Sequence, residues 1–395
     1  MMKRRTFLKT GAAVLGGLAL LRYAIPWWLR PGPIRPLSGE ARELVDTALS
    51  GLDLPRVWDS HVHLIGVEEG GNGCAVNPKM RSHLYPRLRF QFDAFKAGSG
   101  IRSMETADRD YVDRLLLLHR DANPAGRLVL LGFDYLVDRD GTEQPEQSSF
   151  YIPNEYVLGL AERYPEIKAC VSIHPYRNDA VERLSLAAEQ GAVGVKWLPN
   201  AQGIDPGDSR CDRFYSRLAE LGIPLLTHAG HELSVDSGYQ TLGNPLRLRR
   251  ALDHGVRVIV AHCASFGKDE DLDNPDRGQV PAFDLFMRMF RERRYDGLLY
   301  GDLAAAALVN RAGRPLREIL TASDLHHRLV NGSDYPLPAF DEMVWTGRMK
   351  RDGLITAEQA TLVDEIQRSN PLLADLVLKR CMRLERDGVV HRFHD

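Results

Sequence analysis

Between residues 56 and 336, short apolar runs alternate with amphipathic stretches. The runs are "RVWDSHVHL" (56–64), "RLVLLGFDYL" (127–136), "KACVSIHPY" (168–176), "AVGVKWLPN" (192–200), "IPLLTHAG" (223–230), "VRVIVAHCA" (256–264), "DGLLYGDLA" (296–304) and "HRLVNGSDYP" (327–336). Val, Ile and Leu dominate them and each ends in polar residues, the pattern of strands buried on both faces. Between them, "RDYVDRLLLLHRDA", "AVERLSLAAEQG" and "DRFYSRLAELG" carry helical periodicity. Gly191, Gly222 and Gly255 stand where a helix would close before the next strand. Eight such alternations predict an α/β fold, a (β/α)8 barrel of parallel strands. An open doubly wound sheet is the competitor, and no glycine-rich phosphate loop follows any strand to support it.

Chemistry in such a barrel sits at the C-terminal ends of the strands. Those ends carry His61 and His63, Asp134, His174, Lys196, His228, His262, Asp302 and Asp334, in strand order. In "VWDSHVHL", Asp59, His61 and His63 alternate by two, so one strand face holds all three. Burying a carboxylate and two imidazoles together is costly unless something binds them. Asp59 lies deeper than the two histidines and is expected to support them by a hydrogen bond. His174, before Pro175, has two readings, capping its loop or contacting substrate. His231 is expected to be solvated. His119, His254, His326 and His327 fall outside the predicted mouth.

Composition narrows the class. The 395 residues are 44% hydrophobic and 26% charged with a net charge of −2, which gives no basic field for nucleic acid. Five scattered cysteines with no CxxC pair exclude a disulfide framework and a cysteine zinc site. The start differs from the rest. Lys3, Arg4 and Arg5 precede an apolar run from Gly11 to Leu21, and "RRTFLK" resembles the twin-arginine export signal of bacteria. Arg22 interrupts the run, no small-x-small site follows it closely, and Trp27 with Trp28 suit a membrane interface. Residues 1–29 are therefore expected to be a twin-arginine signal or membrane anchor, giving a periplasmic or inner-membrane location. Residues 30–54 read as a Pro-rich linker and a short helix, 55–340 as the barrel, and 341–395 as C-terminal helices packed on it.

With those pieces placed, the chain resembles the amidohydrolase-related (amidohydrolase 2) branch of the metal-dependent amidohydrolase superfamily. "DSHVH", "GVKWLP", "PLLTHAG", "VIVAHC" and "NGSDYP" carry the resemblance, in that order and each at a strand end. It implies a divalent metal held by His61, His63, His228 and Asp334, with one zinc the expected cofactor. It implies that His262 is a proton-transfer group or a ligand of a second metal. Lys196 falls where some members carry a carboxylated lysine; a substrate contact or a structural ion pair are its other readings. Asp334 is then both ligand and proton acceptor, and His262 polarises the substrate carbonyl or donates to the leaving group. The expected reaction is hydrolysis of an amide, lactone or ester of a small-molecule substrate. Non-oxidative decarboxylation is the alternative, and a metal-free anchored barrel the third reading. A long segment at 65–101, with Lys79, Arg81, Arg87, Arg89 and Lys96 among aromatics, has two readings, a lid for an anionic or aromatic substrate and a solvated basic loop packing its aromatics on the barrel. The acidic insertion "SFGKDEDLDNPDRGQVPAF" is expected to shape the mouth.

Overall fold

The computed structural model describes residues 32–68, 71–123, 125–235, 238–340 and 343–393. The signal or anchor expected at 1–29 lies outside the described residues. Among the described residues no helix is long and apolar enough to cross a membrane.

Eight strands form one sheet in chain order: β1 (Trp58–His63), β2 (Arg127–Leu131), β3 (Ile167–Val171), β4 (Gly194–Trp197), β5 (Leu225–Thr227), β6 (Val258–Val260), β7 (Leu299–Asp302) and β8 (Leu329–Val330). Every neighbouring pair is parallel. The sheet closes beyond β8: Val62 bridges Tyr335, His63 N–H donates to Tyr335 O at 2.9 Å, and Asp334 N–H donates to His61 O at 2.8 Å. Closure rules out the open sheet. The strands are short because each needs only enough residues to cross the barrel wall, and their apolar side chains fill the core between wall and outer helices. The helix Asp212–Leu221 shows how a crossover ends: Gly222 takes φ 64°, left-handed, and its N–H caps the last turn on Ala219 O.

Residues 32–38 carry no helix or strand and lead into the helix Gly39–Leu49, capped by the Ser38 side chain. This stretch is tied to the C-terminal region, where Arg35 N–H donates to Ser369 Oγ at 2.9 Å. The C-terminal region contains the helices Thr346–Arg351, Ala357–Ser369 and Pro371–Cys381. It is not helical throughout, which corrects the sequence reading. Arg383–Arg386 pairs antiparallel with Val389–Arg392 across Asp387 and Gly388, whose φ values are 54° and 77°. Asp-Gly with both φ positive is the two-residue hairpin turn.

Candidate active site

The strand ends converge on a cavity of about 1020 Å³, its open mouth included. His61, His63, Lys196, His228, His262 and Asp334 all line it. His61, on β1, is fully buried and holds the centre. Its Nδ1 lies 2.7 Å from Asp302 Oδ2. The carboxylate can only accept, so Nδ1 carries the proton and Nε2 presents a lone pair to the cavity. Around that lone pair stand Lys196 Nζ at 3.1 Å and Asp334 Oδ1 at 3.4 Å. Burial, reinforced by Lys196, pushes His61 well below the ordinary imidazole range, so the ring is neutral.

His262 follows the same logic from β6. Its Nδ1 lies 2.9 Å from Ala304 O, which fixes the proton there and leaves Nε2 bare. Burial and the nearby Arg311 hold this ring well below its usual pKa too. His262, Cys263 and Ala264 all take left-handed φ, at 55°, 49° and 49°, which non-glycine residues rarely adopt. The strain is sustained by Asp302, whose Oδ1 accepts the His262 N–H at 2.6 Å. Asp302 thus fixes two imidazoles at once, and burial raises its own pKa.

Asp334 also sits at a left-handed φ, 66°. Its Oδ1 is buried and accepts no aligned hydrogen bond, although His63 Nε2 is 3.0 Å away. Its Oδ2 is 3.9 Å from His262 Nε2. Burial opposes its ionisation, but His63, His61 and Arg311 outweigh that and hold its pKa below the ordinary carboxylate value. One donor atom each of His61, His262 and Asp334 fall within 4.8 Å of one another. An orphaned carboxylate oxygen beside the bare His262 Nε2 and a His61 Nε2 met only by Lys196 Nζ is the donor set of a divalent cation, so the residues fit the metal that the sequence implies.

The other expected residues divide. His228 lines the cavity, but its Nε2 faces His231 O at 3.3 Å and its Nδ1 faces Glu232 Oε2 at 3.5 Å, outside the three-residue donor group. Burial pushes His228 down to about 4. Lys196 is buried, and burial lowers its pKa against the pull of Asp302 and Asp334. His174 does not line the cavity. Its Nε2 donates to Gln202 O at 2.9 Å and its Nδ1 accepts from Tyr176 N–H at 3.2 Å, so of its two readings the structure supports the loop cap, not the substrate contact. Asp59 supports backbone rather than rings, accepting the N–H of Ser333 at 2.7 Å and of His61 at 3.3 Å.

The segment at 65–101 contains the helices Pro78–Arg81 and Pro86–Gly98, and the second presents Phe92, Phe95 and Lys96 to the cavity. Of the five bases named in that segment, Lys96 alone lines it; Arg89 pairs with Asp93 at 2.7 Å. The acidic insertion contributes nothing to the cavity wall. Its Asp271 is spent on Arg288 at 2.6 Å and Arg277 at 3.1 Å. Sequence reasoning gave no role to Asp302, Glu232 or Arg311. Asp302 stood at a strand end and carried a signal; Arg311 carried none.

A parallel eight-stranded barrel with a His–His–Asp cluster at its mouth is the build of a metal-dependent barrel enzyme. The chain belongs to the amidohydrolase family, whose model matches residues 58–363 and whose members are divalent-metal-dependent hydrolases or decarboxylases. No curated protein matches. Among solved structures, 5-carboxyvanillate decarboxylase from Sphingomonas paucimobilis aligns at 8% identity over 80% of this chain and 96% of its own, with a TM-score of 0.42. The manganese-bound 5-carboxyvanillate decarboxylase of Novosphingobium aromaticivorans aligns at 12% identity over 80% and 94%, with a TM-score of 0.41. The apo IDCase of Metarhizium anisopliae aligns at 12% identity over 82% and 97%, with a TM-score of 0.40. Likenesses this distant say nothing about the substrate of this chain.

Proposed function

We propose that this protein is a hydrolase using one divalent cation, zinc by its donor set, to cleave an amide, lactone or ester of a small substrate with an apolar body. The observation that carries the reading is Asp334: one oxygen buried and unsatisfied beside His61 and His63, the other facing His262. Following the family pattern, His61, His63, His228 and Asp334 would hold the ion, although the ring nitrogens of His228 face His231 O and Glu232 and His262 stands in the closer donor group, with Lys196 an unmodified amine beside them. The bound ion supplies Lewis acidity and brings the pKa of a water to about 7. Asp334, ionised at working pH, accepts the water proton at a carboxylate oxygen. His262 starts neutral with Nε2 bare, so it would take up there the proton accepted by Asp334, whose Oδ2 is 3.9 Å away, and give it to the leaving atom. The apolar wall of Phe92, Phe95, Phe133 and Phe150 excludes water from that exchange and seats the substrate body.

The test is turnover of aromatic esters, lactones and anilides in H2-18O. One 18O atom is expected in the product carboxylate. Carbon dioxide release from hydroxybenzoates, with no labelled product from any ester or lactone, would replace hydrolysis by decarboxylation. We also propose that residues 1–29 direct export by the twin-arginine route. Arg4→Lys with Arg5→Lys should then leave folded, active protein in the cytoplasm, as cell fractionation would show; normal export of that variant would refute it.

A further inference from the structure

The polar end of the cavity holds a cation that the proposed chemistry does not use. Arg311 lies on the segment after β7, its backbone fixed by N–H donation to Leu308 O at 2.9 Å. It is only 8% exposed, and it lines the cavity beside Glu232, His262 and Asp334. Its one polar side-chain contact is long, 3.4 Å to Ser265 Oγ, and its guanidinium stands 6.0 Å from the Phe266 ring centre. Among the described residues no carboxylate comes within 4.0 Å of it. Two other shielded arginines each reach a carboxylate: Arg177 meets Asp134 at 2.5 Å, and Arg328 lies 3.2 Å from Asp296 and donates to Phe290 O at 2.5 Å, though its Nε makes no hydrogen bond.

Burial works against the charge on Arg311, and Asp334, Glu232 and Asp302 favour it from further away. A guanidinium does not deprotonate in a protein, so the charge stays and lacks a close partner. Holding such a group buried is unfavourable unless a ligand completes it. Five donors in a planar fork match a carboxylate through two parallel hydrogen bonds. One fork at the polar end, with the carboxylates of Glu232 and Asp334 also lining the cavity, suits a planar monoanion better than a phosphate dianion.

We propose that Arg311 anchors a carboxylate of the substrate, so that the substrate is a small organic acid whose apolar body lies along Phe92, Phe95, Phe133 and Phe150. The proposal rests on the hydrolase reading only for where the reacting bond lies; the anchor does not depend on which bond is broken.

Benzoate and its neutral isostere benzamide are the probes, titrated by calorimetry into the full metal-loaded protein. Wild type is expected to bind benzoate at least about tenfold more tightly than benzamide, and Arg311→Met to weaken benzoate by about 10- to 100-fold while leaving benzamide within about twofold. Arg311→Lys keeps the charge without the fork and should fall between; if Arg311→Met does not fold, the lysine variant carries the same comparison. Equal affinity of wild type for the two probes overturns the proposal. Unchanged benzoate affinity in the variants does so too, and a lowered melting temperature alongside it would make Arg311 a structural residue. Arg311-dependent benzoate binding in a protein that hydrolyses no ester would keep the anchor and refute the hydrolase reading.

Discussion

Two polar clusters stand at strand ends of the same barrel, and they differ in valence. Beyond β2 and β3, Asp134 takes Arg177 on both oxygens, at 2.5 and 2.8 Å, together with the N–H groups of His174 and Tyr135 at 2.7 and 2.8 Å. His174 has a partner on each ring nitrogen, and Gln202 bonds Asp134 O, Ser172 Oγ and Leu198 N–H. Nothing there is left to bind a ligand. At the mouth, His262 turns a bare nitrogen inward, the inward nitrogen of His61 meets only Lys196 Nζ at 3.1 Å, and Asp334 keeps an unsatisfied oxygen. Both clusters are built from the same residue types. A saturated network stabilises a loop, and an unsaturated one is where a metal or substrate completes the bonding.

The largest contrast comes from removing one carboxylate on each side. Asp334→Asn should abolish turnover, by about 10³-fold or more, and release the metal, because it removes ligand and proton acceptor together. Compared with metal-free wild type, its resistance to urea should hardly fall. Asp134→Asn should do the reverse: it takes the buried carboxylate from Arg177, leaving the more exposed Glu143 at 2.5 Å as its remaining carboxylate partner, and costs about 2 kcal/mol of stability, with kcat per folded molecule preserved. Steady-state kinetics, plasma mass spectrometry and urea unfolding on both variants read this directly. Matching losses of activity in the two would erase the distinction.

Next is His262→Asn, expected to keep the metal and lose about 10² in kcat, the size of a missing acid–base group. The geometry makes this a sharp test, since His262 Nε2 is near enough to Asp334 to be a ligand itself. Metal lost in step with activity would place it in the coordination shell. Two metal equivalents per wild-type chain, with a carboxylated Lys196, would overturn the single-ion reading as well. Asp302→Asn comes third. It leaves every proposed ligand in place but releases His61 Nδ1 and the His262 backbone, and should weaken metal affinity by about 10- to 100-fold. Competition with a chelator would measure it; unchanged affinity would mean that the strand alone orients His61.

Much of this was readable before any coordinates. Seven of the eight apolar runs contain the strand they predict and the third misses only its first residue, Ile167, because a strand buried on both faces leaves a dense Val, Ile and Leu signature. The alternation of His61 and His63 marked the mouth for the same reason of period. What escaped was pairing across distance. His61 and Asp302 are 241 positions apart, and no local pattern links them. Arg311 is one of 51 lysines and arginines, and only the closed barrel shows that it is buried with no carboxylate within 4.0 Å among the described residues. The bases at 65–101 had two readings that the sequence could not separate, since a charge on a long loop does not say which way it points; Lys96 alone of the five faces the cavity. The terminal hairpin was a different kind of miss: Asp387-Gly388 carries the local signal and was passed over for the helices before it.

The smallest effect tests the saturated cluster by pH. Burial pushes His174 down to about 3, against an ordinary imidazole value near 6.5. At neutral pH neither folded nor unfolded His174 holds a proton, and its contribution to stability is complete. As the pH falls below about 6.5 the unfolded chain binds a proton that the folded ring refuses, so stability drops, and it goes on dropping until the folded ring also protonates near 3. At pH 5 the loss from this one group is about 2 kcal/mol. Substituting His174→Gln removes the titration while keeping a donor and an acceptor in the loop. Urea unfolding at a series of pH values from about 7 to 5 should show a stability slope shallower by up to about one proton in the variant. His228, depressed to about 4 by burial, adds its own slope to wild type and variant alike, so the difference isolates His174. Turnover at neutral pH should be unchanged, since His174 does not reach the cavity. A variant with the wild-type slope and a large fall in kcat would put His174 in the catalytic cluster and remove the division between the two.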